Sequence, residues 1–132
     1  MNVDQVYEIH LSDQNGAMIP AKVEVDLSSG AFGHYQLRIS WQDGTVEAED
    51  YSVYHAFALA REKMEPLGLV PQCYGACPEV HVSGMAVEMG HGISAYKLSR
   101  PDERWDAPMV NIFDNGPDVH PASVEAQRNY RS

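Results

Sequence analysis

The feature that most constrains this chain is a change of hydrophobic period near residue 50. Before it, apolar residues recur at every second position; after it they recur every three or four. A period of two sends successive side chains to opposite faces of a strand, whereas a spacing of three to four gathers them on one face of a helix. The run VYEIHL places Tyr7, Ile9 and Leu11 on one side and Val6, Glu8 and His10 on the other. Ile19 to Leu27 carries Ala21, Val23, Val25 and Leu27 on one face, and His34 to Gln42 carries Tyr35, Leu37, Ile39 and Trp41. Asn15-Gly16 separates the first two runs and Asp43-Gly44 closes the third, and both dipeptides suit the positive φ angles of tight hairpins. With the link SSGAFG between the second and third runs, these residues predict an antiparallel meander of three half-buried strands and a short fourth at Thr45 to Ala48.

Val53, Phe57, Ala60 and Met64, flanked by Ala56 and Leu59, then predict an amphipathic helix with Arg61, Glu62 and Lys63 turned mainly away from the core. Asp50 or Ser52 can accept hydrogen bonds from the free N–H groups at its start, and Pro66 with Gly68 ends it near Glu65. Beyond it, LVPQCYGA reads as a short buried strand, SGMAVEMG as a helical turn opened by Ser83 and closed by Gly90, and ISAYKLS as a further strand. RPDERWDAP reads as an exposed loop, MVNIFD as a last short strand and SVEAQRNYRS as a C-terminal helix. The expectation is one α+β domain over residues 1–132, built on an antiparallel sheet with one main helix.

A chain of 132 residues buries enough surface for one real core. Nineteen acidic residues against nine basic ones give a net charge of −10, which repels nucleic acid and anionic membrane surfaces but attracts a basic protein, such as a nuclease. No apolar run approaches the ~18 residues of a spanning helix, and MNVDQVYEIHLSD lacks the layout of a signal peptide. A cytoplasmic location is expected. Cys73 and Cys77 are expected to remain reduced there, and if their segment is extended they stand too far apart to bridge.

Cys73, Cys77, His81 and His91 are of the right types for zinc, but three residues between the cysteines is not the two-residue spacing of familiar knuckles. The expectation is no metal and no cofactor, with both cysteines packed as small hydrophobes. A nucleophilic arrangement could draw on Cys73 or Cys77, His81 or His91, and Asp114. Yet the chain lacks a G-x-S-x-G elbow, a Walker loop, an H-E-x-x-H helix and the deaminase zinc signature, so no catalytic residue is assigned. The glycines of Gly90-His91-Gly92 follow a helical turn and precede a strand, the reverse of the phosphate-binding order, and are expected to form a cap and a turn. Acidic residues crowd at Asp43, Glu47, Glu49 and Asp50, and again at Asp102, Glu103 and Asp106 around Trp105. An aromatic ring among carboxylates suits an interface anchor whose rim selects a basic partner.

The segments CYGA at Cys73 to Ala76, SGM at Ser83 to Met85, MGHG at Met89 to Gly92, AYKL at Ala95 to Leu98 and VNIFD at Val110 to Asp114 resemble a bacterial family of small uncharacterised proteins. The tail SVEAQRNY is similar too; this resemblance carries no assigned chemistry. In type, a small, acidic, motif-poor α+β protein also resembles the immunity proteins that bacteria make against antibacterial toxins. That resemblance implies a binding protein that covers a toxin's active site, with the two acidic groups and Trp105 as partner-binding surface and the protein a monomer or dimer. Two other readings stand beside it. One is a small enzyme or ligand-binding domain using Tyr74, His81, His91 and Tyr96 in a closed pocket; the other is an oligomeric accessory protein without catalysis.

Overall fold

A computed structural model describes residues 1–28 and 34–131, so the part of the SSGAFG link from residue 29 to 33 lies outside the described residues. Strands β1 (Gln5–Ser12), β2 (Met18–Asp26), β3 (Tyr35–Trp41) and β4 (Gly44–Asp50) form the antiparallel meander that the alternation predicts. A two-residue strand, β5 (Val70–Pro71), adds to the free side of β1, giving the order β4-β3-β2-β1-β5. The first turn is held by Asp13, whose Oδ1 accepts the Asn15 and Ala17 N–H groups at 2.9 Å while Gly16 takes a φ of 79°. The fourth strand runs to Asp50, longer than its short acidic sequence suggested. Cross-strand pairing sustains it: Glu24, Arg38 and Glu47 lie opposite one another on β2, β3 and β4, and Arg38 joins both carboxylates at 3.0 and 3.6 Å.

Helix α1 (Val53–Met64) lies across the inner face of this sheet. Of the two candidate caps it is Ser52, whose Oγ accepts the His55 N–H at 3.0 Å. Leu11, Val23, Leu37 and Ile39 of the sheet meet Val53, Phe57, Ala60 and Met64 of the helix, all buried. A second, three-stranded antiparallel sheet has the order β6-β7-β8, from β6 (Val80–His81), β7 (Ser94–Lys97) and β8 (Met109–Asn111). Helix α2 (Gly84–Gly90) connects its first two strands, capped by Ser83, and helix α3 (Val124–Asn129), capped by Ser123, follows the last. Phe113 joins the two sheets, its ring centroid 4.7 Å from Tyr7 and 5.2 Å from Phe57, so one buried cluster runs through both. The fold class is α+β, and no helix among the described residues is long and apolar enough to cross a membrane.

Two expectations are corrected. The segment LVPQCYGA is strand only at Val70–Pro71; from Tyr74 to Ala76 it turns into a 3-10 helix. After β5 the chain leaves β1 and is drawn onto the end of the second sheet, where Tyr74 N–H donates to Asp114 O at 2.9 Å and Gly75 N–H to Ile112 O at 2.8 Å. Arg61 does not face away from the core but is 2% exposed. Its guanidinium donates to the carbonyls of Gly75 at 3.1 Å and Ala122 at 2.8 Å and to Gln127 Oε1 at 2.6 Å. Gln127, itself buried, donates from Nε2 to the carbonyls of Gly75, Cys77 and Val80 at 2.9, 2.9 and 3.0 Å. A turn with no ladder of its own thereby has its carbonyls satisfied from α1 and α3.

The close approach at that turn requires glycine: a Cβ on Gly75 would stand 2.9 Å from Ile112 Cβ and 3.0 Å from Phe57 Cε2. Gly75→Ala is therefore expected to lower stability in urea unfolding by about 1–3 kcal/mol. Gly84→Ala, where an added Cβ meets nothing within 4 Å, should raise stability by about 0.5–1 kcal/mol through reduced freedom of the unfolded chain. Equal effects at the two positions would contradict this packing.

Candidate functional site

The two acidic groups are carried by different sheets. Glu47 and Glu49 project outward from β4, an edge strand whose residues alternate exposed and half-buried, while Asp43 sits in the β3–β4 turn and half-buried Asp50 ends the strand. Glu49 accepts from Gln36 Nε2 at 3.3 Å, and Asp50 Oδ1 accepts the Tyr51 N–H at 2.7 Å. An open groove of about 550 Å³ runs along this edge, bounded by Gln36, Arg38, Glu47, Glu49 and Lys63. Lys63 donates to the backbone carbonyl of Glu47, so a helix side chain covers part of the strand edge.

The second group lies in the loop between β7 and β8 and is compensated locally. Asp102 pairs with Arg100 at 2.9 Å, and Glu103 accepts the Ser99 N–H through its side chain and Arg131 through its carbonyl. Trp105 remains 39% exposed, but the Arg131 guanidinium lies 4.3 Å above its ring and Tyr96 packs at 5.3 Å between centroids. Asp106 is exposed, its N–H donating to Arg104 O at 2.8 Å. Carboxylates and arginines thus share the loop.

The aromatic and histidine residues of the pocket reading are separated by their partners. Tyr74 donates to Asp118 at 2.6 Å, Tyr96 packs on Trp105, His81 approaches Pro78 O at 2.7 Å and packs on Tyr130, and His91 bonds Tyr35 at 2.9 Å. His91, with a φ of 59°, caps α2, so Gly90-His91-Gly92 forms the cap and turn expected of it.

Nor do Cys73, Cys77, His81 and His91 converge. Cys73 is fully buried, and desolvation pushes its thiol up to about 12, so it is an inert core group. Among the described residues, the side chains that could share a metal ion are Cys77, Glu79 and His120, whose ligand atoms lie within 4.8 Å of one another. Glu79 and His120 carried no sequence signal: they stand in polar loops with no repeating spacing, and only Cys77 belonged to a noticed pattern. Beside them, hydrogen bonds from Lys97 and Tyr74 hold the Asp118 carboxyl down at about 2.

A smaller cavity of about 210 Å³ lies between α1 and α3, with Asp50, His55, His81, Arg128 and Arg131 on its walls. His55 is fixed there, with Nδ1 2.5 Å from Ser52 Oγ and Nε2 2.9 Å from Tyr51 OH. No protein-family model matches this chain, and no curated protein is significantly similar to it.

Burial, opposed by the Asp50 carboxylate, holds the His55 imidazole below its ordinary value of 6.5. The neutral ring then contributes stability that is complete above 6.5 and is lost as pH falls from 6.5 through the folded value. His55→Gln should therefore show a smaller drop in urea midpoint than the parent between about pH 7.5 and about pH 5.5. Identical drops in the two proteins would remove His55 as the cause.

Proposed function

We propose that the protein is a binding protein of the immunity type, acting in the cytoplasm as a monomer or dimer and neutralising a basic toxin by covering its active site. The observation that carries this reading is the open groove on the β3–β4 edge, with Glu47 and Glu49 on its walls. Glu47 keeps 65% of its side chain exposed and meets Arg38 only at 3.6 Å, a weak compensation that leaves its carboxylate available to a partner's lysine or arginine. Because Lys63 caps the Glu47 carbonyl, this stretch of the edge offers side chains rather than backbone. The strand ladder holds those side chains in place, which lowers the ordering cost of association, and the charge of −10 speeds encounter with a basic surface. The Trp105 loop, where Arg100 pairs with Asp102 and the Arg131 guanidinium covers the Trp105 ring, supports the reading less.

Calorimetry against the purified products of the genes adjacent to this protein's own tests the proposal. A complex is expected, and the double variant Glu47→Gln/Glu49→Gln, which removes both charges without setting a like charge opposite Arg38, should bind at least about tenfold more weakly. Absence of a complex with any neighbouring gene product, or undiminished affinity in the double variant, would overturn it.

A further inference from the structure

Three metal-ligating side chains outside the proposed interface meet beside the second sheet. Cys77 follows the 3-10 turn at Tyr74–Ala76, Glu79 precedes β6, and His120 belongs to the loop before α3. We propose that Cys77 Sγ, a Glu79 carboxylate oxygen and the His120 ring form a site for a single zinc ion, its fourth position open to water.

The ring nitrogens give the first argument. His120 Nδ1 lies 2.8 Å from the Asp118 carbonyl, which can only accept, so Nδ1 carries a hydrogen. In the neutral ring Nε2 then presents a lone pair, and it stands 3.1 Å from Glu79 Oε2. Two acceptors at that distance repel unless a cation, either a proton or a metal, lies at their junction. An N–H donated from the far side of the ring to a carbonyl is also how proteins orient a zinc-binding imidazole.

The other two groups differ: Glu79 leaves an acceptor unmet, whereas the Cys77 S–H donates to the Cys73 carbonyl at 3.7 Å, a bond that a metal would replace. Glu79 Oε1 is buried and has no hydrogen-bond partner among the described residues, leaving a carboxylate with unused bonding capacity. Cys77 Sγ accepts the His120 backbone N–H at 3.4 Å, a contact that favours negative charge on sulfur. A thiol must give up its hydrogen to ligate a metal. Binding is then an exchange: the Cys77 S–H bond gives way to an S–Zn bond, and the proton leaves to solvent.

The donor set selects the ion. Sulfur, imidazole and carboxylate together suit zinc, whereas calcium and magnesium take oxygen ligands. Tetrahedral zinc sets its ligand atoms about 3.3–3.8 Å apart, so ligands within 4.8 Å of one another need close by no more than about 1.5 Å. The His120 side chain, 62% exposed, is free to make that movement. Asp118 is engaged with Tyr74 and Lys97, so a three-ligand site with bound water is the expected outcome.

The chelator-treated full chain, titrated with zinc in calorimetry, tests this directly. One ion per chain is expected, with proton release seen as a dependence of the heat on buffer. Cobalt should give a sulfur-to-metal charge-transfer band in the near ultraviolet. Cys77→Ser should abolish that band, and the exposed-site variant His120→Ala should weaken zinc binding by at least about tenfold with unchanged far-ultraviolet dichroism. His10→Gln, on the outer face of β1, should change neither. No stoichiometric uptake would leave a proton as the bridging cation and overturn the proposal, as would uptake unaffected by both site variants.

Discussion

The arrangement of the second half of the molecule depends on the burial of one guanidinium. Among the described residues no carboxylate bonds Arg61; its guanidinium is met by the carbonyls of Gly75 and Ala122 and by the Gln127 amide oxygen. Burial pulls its pKa down, but a guanidinium starts so high that it keeps its proton. Removing it from water is costly, and the cost is tolerable only because the planar fork reaches several acceptors at once. Those acceptors lie on two segments distant in sequence, so α1 fixes both the turn at Tyr74–Ala76 and the approach to α3. Gln127 repeats the tie from the opposite side, sharing the Gly75 carbonyl with Arg61.

This division separates the two candidate surfaces. The acidic groove lies on the meander, where regular strand pairing sets the position of each carboxylate without help from the clasp. Cys77, Glu79 and His120 lie on loops, and loops have no ladder to position them. Their geometry follows from the node beneath: the Cys77 carbonyl is held by Gln127, and Ala122, two residues beyond His120, accepts from Arg61 and donates to Ala76 O at 2.9 Å.

Much of the fold could be read from the residues. Alternation identified the inner faces of β1, β2 and β3, and the serines at 52 and 83 with the glycines at 16 and 90 marked turns and helix ends. Arg61 was misplaced because charge was allowed to outweigh period. It follows Phe57 by four residues and Val53 by eight, so it belongs to the apolar stripe by position. The turn at Tyr74–Ala76 was hidden because Cys73, Ala76 and Cys77 are buried by tertiary contacts while local apolar character alone cannot separate strand from turn. The Cys77, Glu79 and His120 cluster was hidden for another reason: its members come together only through the clasp, which no local pattern encodes. The acidic residues were legible as charge, but the sequence did not show that Arg131, from just past the end of α3, covers the Trp105 ring among them.

A double-mutant cycle at Arg61 and Gln127, read by urea unfolding, tests the dependence on this node most directly. Arg61→Met alone should cost about 3 kcal/mol or more, since it strands buried acceptors. Because both residues serve the same carbonyls, the loss in Arg61→Met/Gln127→Leu should fall short of the sum of the single losses by at least about 1 kcal/mol. Single losses that add to within about 0.5 kcal/mol would show two independent contacts and contradict a shared clasp.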